Sequence, residues 1–348
     1  MMDFSTLYHA HQAGMEDFWG RRENGPTFER RFGLFRRPAT VTSNDERVIS
    51  AVDLSLRQFS MTDPGPNPPF AAHIIVRQNP LDPGPPPADL ASVTRYAGYG
   101  EWVSIQAGAW GHCHIDLTGG RAAVALSPRL AERPELLSRG LLNTIFTNFL
   151  IGGGFAMLHC TGLMRDGHAL LLMAPHNSGK STTALRLLLA GFRLISDSQI
   201  YLSPDSDALE LFGFPVGRIK LRADVVTKFS QLQPFLTEEK VREEIKHVLD
   251  LRAWRAELAE TEPVRPDAIT LALLRQNGQR DTIISPAARD EVWSAVMANS
   301  IFYDDEAAWQ RNLAQAERLV AAARACHLAI GTSPHAIVDT VSQLLSQP

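Results

Sequence analysis

LLLMAPHNSGKSTTALRLLLAGFRLISDSQIYL, residues Leu170 to Leu202, sets the architecture of the chain around it. The apolar run Ala169 to Met173 reads as a buried strand. It breaks into the loop Ala174-Pro175-His176-Asn177-Ser178-Gly179-Lys180-Ser181, and an apolar helix follows through Thr182 and beyond. Strand, loop and helix in that order make an anion site, because main-chain N–H groups wrap the anion and the helix N-terminus adds its positive end. Lys180 is placed to reach the β- and γ-phosphates of a nucleotide and the Ser181 hydroxyl to hold Mg²⁺. The motif has Gly at its first position, where this chain has Ala174. If that position needs a positive φ, Ala costs on the order of 1 kcal/mol; if it does not, the loop closes as well with Ala.

The residues after the loop narrow the reading. The helix is predicted from about Gly179 to Ala190, with Leu185, Leu188 and Leu189 as its core stripe. Gly191 ends it as a left-handed cap. Phe192 to Ser196 reads as a strand that delivers Asp197 at its C-terminal end, so the loop and Asp197 are expected on neighbouring strands. At that distance Asp197 either holds the metal through a water or takes a proton from an attacking hydroxyl. The bland alternative is that Asp197 caps a turn before Ile200-Tyr201-Leu202.

Over Ser178 to Ser198 (SGKSTTALRLLLAGFRLISDS) the chain resembles HPr kinase/phosphorylase and its relatives, which carry GxSGxGKS, a helix ending in Gly and a strand reading RLxADD. The relatives include serine kinases associated with modified-peptide clusters. The resemblance covers about residues 155–225 well and 265–345 loosely. It implies an α/β fold: a mixed twisted sheet with a phosphate loop and flanking helices, as in the nucleotide-binding core of phosphoenolpyruvate carboxykinase. It also implies ATP and Mg²⁺, and transfer of the γ-phosphoryl to a hydroxyl, most naturally a Ser of a peptide or protein. His159 stands where the family has a His before its loop, and is expected beside the catalytic carboxylate or else packed between strands. Glu210, in Leu209-Glu210-Leu211-Phe212-Gly213, resembles the family's LEIRG element, whose Glu joins Ser181 and Asp197 in the metal set; Phe212 replaces the Arg of that element. The family's paired Asp-Asp is Asp197-Ser198 here. The family often forms rings or dimers, which leaves a homo-oligomer open.

Arg218, Lys220 and Arg222 alternate and so share one face of an extended segment. Arg218 and Lys220, beside Pro215 and Gly217, are the candidates for stabilising transferred charge, with solvated edge-strand charges as the alternative.

The chain has 348 residues, enough for two domains, and 45% apolar content supplies a core. Its net charge of −4 argues against a nucleic-acid platform. Cys113, Cys160 and Cys326 are odd in number and widely spaced, as reduced thiols of a cytoplasmic protein are. No signal peptide or membrane span is expected. His112-Cys113-His114 invites a metal, but in a strand the two histidines face one side and the cysteine the other.

Residues 1–140 are expected to form a β-rich N-terminal domain of unknown role, and 141–348 the nucleotide-binding domain. Charge-rich arms (Arg21, Arg22, Glu23; Arg30, Arg31, Arg36, Arg37) and two proline-rich loops, Pro64 to Pro69 and Pro80 to Pro87, punctuate the first part. From Ser92 to Leu126 the pattern predicts antiparallel strands, with Gly119-Gly120 as a hairpin turn. Leu141 to Phe155 reads as a buried helix with Leu142, Ile145, Phe146 and Phe149 inward. Further on, Thr237 to Glu260 is expected as a charged helix and Asn277-Gly278 as a hairpin turn into Thr282-Ile283-Ile284. Ser285-Pro286 is expected to open a helix. Helices at Glu306 to Ala325 and Ser333 to Leu345 bracket a strand, Cys326 to Gly331.

Three functions remain open at this level. The first is a peptide or protein kinase. A small-molecule kinase acting on an amino acid or sugar would share its core. A non-catalytic ATP-binding adaptor would fit Ala174 and the single carboxylate at Asp197-Ser198.

Overall fold

The computed structural model describes residues 6, 8–10, 27–56, 69–77, 82–175, 177–205, 207–241, 244–300 and 305–346. Arg21, Arg22, Glu23, most of the first proline loop and His176 lie outside the described residues. Two compact units are present, and the described chain divides between them after Gly154. Residues 305–309 group with the first unit.

The first unit holds β1 (Phe28–Leu34), β2 (Arg37–Ser43), α1 (Glu46–Leu56), β3 (Phe70–Val76), β4 (Thr94–Tyr99), β5 (Trp102–Ala107), β6 (Gly111–Asp116), β7 (Arg121–Leu126) and α2 (Asn143–Gly152). Its strands form one seven-stranded sheet in the order β1-β2-β3-β7-β6-β5-β4. The meander β4 to β7 is antiparallel, and Gly120 takes the positive φ of the turn between β6 and β7. Beyond that meander the sheet is mixed: β3 runs parallel to both β2 and β7. The α1 segment supplies the crossover that a parallel β2–β3 pair requires. Helix α2 buries Ile145, Phe146 and Phe149 as its periodicity predicts, with Phe146 edge-on to Phe32 and Phe149 stacked on Phe70.

The second unit continues with β8 (Ala156–Leu158), β9 (Thr161–Arg165), β10 (His168–Met173), α3 (Lys180–Leu189), β11 (Arg193–Ser196), β12 (Gln199–Leu202), β13 (Leu211–Phe214) and β14 (Arg218–Leu221). It is completed by β15 (Leu236–Val241), β16 (Glu244–Asp250), β17 (Ala268–Gln276), β18 (Ile283–Pro286), α4 (Arg289–Ala298), α5 (Glu306–Ala322, from Gln310 on), β19 (Arg324–Ile330) and α6 (Pro334–Leu345). A six-stranded mixed sheet, β11-β9-β10-β17-β19-β18, forms its centre, with β10, β17 and β19 parallel. Strand β10 is buried on both faces, and period-two alternation sorts its side chains. Leu170 and Leu172 join the core with Leu185 and Leu188 of α3, Leu328 and Ile337. Ala169, Leu171 and Met173 join the opposite core with Val292, Val296, Ala316 and Leu319. Helices thus cover both sides of a mixed α/β sheet.

Several expectations change here. Residues 237–241 and 244–250 are not helical: β15 pairs antiparallel with β16, and β16 also pairs with β14. The apolar spacing of Val241, Ile245, Val248 and Leu249 fits a helix, but sheet pairing encloses Glu239 and Lys246, which a solvated helix face would leave exposed. Asn277-Gly278 does turn, with Gly278 at positive φ, yet β18 pairs with β19 instead of β17. Ser285 and Pro286 end β18, an edge strand where Pro is tolerated, and α4 begins at Arg289 with the Glu291 carboxylate accepting the Ala288 N–H. In α3, Leu189 is exposed, while Ala184 and Leu187 join Leu185 and Leu188 inside.

Candidate functional site

The loop 174–179 leaves β10 at the end toward which β17 and β19 also run, the edge where open α/β sheets hold ligands. Ala174 does not have a positive φ; Asn177 (63°) and Gly179 (97°) do. Ala at the first loop position therefore carries no left-handed strain. Gly179 is the position that demands Gly, because a Cβ there would also meet Ile330 Cδ1 at 3.2 Å. As N-cap of α3, Gly179 contributes its C=O to the Thr183 N–H, and Thr182 stands in the first turn.

Lys180 folds over this loop. Its Nζ donates to Ala174 O at 2.6 Å and Pro175 O at 3.2 Å, and Ser178 Oγ donates to Pro175 O at 2.8 Å. Burial pulls the Lys180 pKa down, and the Asp197 charge works against that shift.

Asp197 ends β11. Strand β9 lies between β11 and β10, so the loop and Asp197 are not on neighbouring strands. The β9–β10 turn, with Asp166 and Gly167 at positive φ, folds β9 back into the intervening place. Asp197 nevertheless lies close enough to the start of α3 for the Ser181 hydroxyl to favour its ionised form. Thr161 Oγ1 donates to Oδ1 at 2.9 Å and the Lys220 N–H to Oδ2 at 3.3 Å. Asp197 keeps some exposure as a residue, but its carboxylate is packed in closely enough that burial pushes its pKa up to about 6, against the pull of Ser181, Thr161, the Lys220 N–H and Lys180. The turn before β12 is held by Ser196, whose Oγ accepts from the Ser198 and Gln199 N–H groups. The turn-capping role considered for Asp197 belongs to its neighbour.

Of the remaining expected residues, His159 is exposed in the β8–β9 connection, its N–H bonded to Asn299 O. Glu210 is buried and ion-paired to Arg265 at 3.0 Å. Its main chain pairs with Ser203, at the opposite end of the β12–β13 hairpin from Asp197. Four strand residues separate those ends, roughly 13 Å, which sets Glu210 apart from Ser181 and Asp197. Phe212 packs edge-on against Phe155 and is a core residue. Arg218 and Lys220 do share a face of β14, but both reach Glu239 of β15: Arg218 Nη2 to Oε2 at 3.2 Å and Lys220 Nζ to Oε1 at 3.0 Å. Arg222 pairs with Asp224.

Thr161 and Glu239 are the site residues that sequence reading missed. Thr161 sits beside the expected His159 and Cys160 with no motif of its own. Glu239 was hidden inside a segment with helical spacing. Cys113, Cys160 and Cys326 are free and buried, and no group of three or more His, Cys, Asp or Glu side chains is arranged for a metal among the described residues. His112 and His114 lie on one face of β6 with rings 6.0 Å apart, and Cys113 is buried. No helix of the described residues is long and apolar enough to cross a membrane.

No family model matches the chain, and no characterised protein matches it in sequence. Among solved structures it is similar to the Hpr(Ser) kinase/phosphatase from Coxiella burnetii, with a TM-score of 0.26 and 9% identity over 54% of this chain and 97% of that one.

Proposed function

We propose that the second unit is an ATP-dependent phosphotransferase that moves a γ-phosphoryl to a hydroxyl, with a Ser of a peptide or protein as acceptor. One observation carries the reading. Ser181, at the start of a helix that opens from a Gly-dependent loop, stands near the packed-in Asp197 carboxylate, which accepts from Thr161 Oγ1 at 2.9 Å and from the Lys220 N–H at 3.3 Å and whose pKa is raised to about 6. A helix N-terminus with main-chain N–H groups and a lysine favours phosphate, and a carboxylate with a pKa near neutrality suits proton transfer.

The residues present fit a nucleotide with Mg²⁺: the Ser181 hydroxyl and Asp197 carboxylate form an oxygen pair suited to a hard cation. Such a cation supplies neutralisation of phosphate charge when bound. The loop amides and Lys180 hold the phosphates, for which Lys180 leaves the carbonyls of Ala174 and Pro175. Asp197 takes the proton of the attacking hydroxyl as its oxygen bonds to phosphorus and the nucleoside diphosphate departs. Thr161 and the Lys220 N–H keep the carboxylate aimed.

A second reading, nucleotide binding without transfer, is favoured by the pairing of Arg218 and Lys220 with Glu239, which leaves less positive charge to meet a transferred group. Incubation with MgATP and candidate acceptors, read as an acceptor mass shift, separates the two. Transfer that disappears in Asp197→Asn while nucleotide binding survives supports the kinase. Full transfer in that variant refutes the role of Asp197, and ATP consumption that no acceptor accelerates supports the binding module.

A further inference from the structure

Strands β14, β16 and β15 form a three-stranded sheet with two unlike faces. Ile219, Leu221 and Leu249 point into the core beneath α3. The cross-strand pairs Arg218–Asp250, Lys220–Val248 and Glu239–Lys246 place the charged residues on the opposite face. On β15, an edge strand, Thr237 and Glu238 are exposed, while the Glu239 side chain keeps only 3% of its exposure. Each of its two oxygens meets one cation, Arg218 on one and Lys220 on the other. Two donors converging on separate oxygens of one planar anion is the arrangement that also holds phosphoryl oxygens. The same Lys220 gives its main-chain N–H to Asp197, so this fork lies beside the carboxylate of the site.

We propose that Arg218 and Lys220 form a seat for a phosphoryl-type anion and that Glu239 is its internal occupant, an autoinhibitory contact carried by the β15–β16 hairpin. An anion entering the site competes with Glu239 for the two cations, and the hairpin yields them only to a group of higher charge. Asp250 does not take over this role, because Arg252 engages both of its oxygens, at 3.0 and 2.7 Å. The inference rests on the phosphotransferase reading for its biological sense, but the seat itself is testable without nucleotide or acceptor.

Inorganic phosphate is the probe, titrated calorimetrically into the full chain as wild type, Glu239→Gln and Glu239→Asp, each also carrying Lys180→Ala. The expected result is phosphate affinity at least about ten-fold higher in Glu239→Gln than in wild type, retained with Lys180→Ala and abolished by Lys220→Ala. Glu239→Asp, which draws the carboxylate back by one methylene, should show a smaller gain and covers the case in which the Gln variant does not fold. Unchanged phosphate affinity in a folded variant overturns the proposal, as does a gain that vanishes with Lys180→Ala. MgATP titrated into the wild type tests the phosphotransferase reading separately, so either idea can fail alone.

Discussion

Thr161 Oγ1 donates to Asp197 Oδ1 at 2.9 Å, which ties the carboxylate to the start of β9, the strand that runs between the one feeding the loop and the one just before Asp197. Helix α3 starts beyond the C-terminal end of β10 and brings the Ser181 hydroxyl near enough to that carboxylate to favour its ionised form.

The raised pKa of Asp197 makes it a destabilising group at neutral pH. Its folded value of about 6 lies above the ordinary 3.8, so the native state binds the proton more tightly than the unfolded chain does. The stability this confers is full below about pH 4 and is lost as pH rises through 6. Asp197→Asn should therefore be more stable than wild type at pH 7.5, by on the order of 2–3 kcal/mol, with the difference closing below pH 4. Urea unfolding of both proteins across that range checks it; a less stable Asn variant at pH 7.5 contradicts it.

Thr161→Val removes a hydrogen bond that favours the ionised carboxylate. The Asp197 pKa should rise further, moving the acid limb of any pH–rate profile upward and the pH dependence of stability with it. A profile that stays in place would show that Thr161 does not act on Asp197.

Two loop substitutions test where the loop needs glycine. Ala174→Gly restores the motif residue, yet Ala174 lacks a positive φ, so stability should fall by about 0.5–1 kcal/mol with no gain in nucleotide affinity. Gly179→Ala imposes a side chain at φ 97° against Ile330 and should cost roughly 1–2 kcal/mol and weaken nucleotide binding. Thermal melts and MgATP titrations of the two variants report both effects.

Glu210→Gln should leave the Mg²⁺ dependence of nucleotide binding within about two-fold of wild type, because Glu210 is spent on Arg265 at the far end of its hairpin. A large shift in the Mg²⁺ requirement would return Glu210 to the metal set.

The β10–loop–α3–β11 unit was legible because its signals are local: a continuous apolar strand, a glycine loop, helical spacing and Gly191 at φ 92°. The interposed β9 was not, since strand order depends on how the hairpin folds over the sheet. The β15–β16 hairpin was misread because Val241, Ile245, Val248 and Leu249 satisfy helical spacing, and only pairing with β14 makes the strand the better home for Glu239. Arg218 and Lys220 were found as cations on one face, but their shared counter-ion came from that misread segment. In the first unit, the Gly119-Gly120 turn was readable, whereas the parallel β2–β3–β7 pairing arises from tertiary contacts with no local mark.

Calorimetric titration of MgATP into wild type, Lys180→Ala and Asp197→Asn tests the central claim most directly. The account predicts binding to the wild type, loss of binding in Lys180→Ala and retention in Asp197→Asn. Absence of binding to the wild type, or undiminished binding to Lys180→Ala, would contradict it.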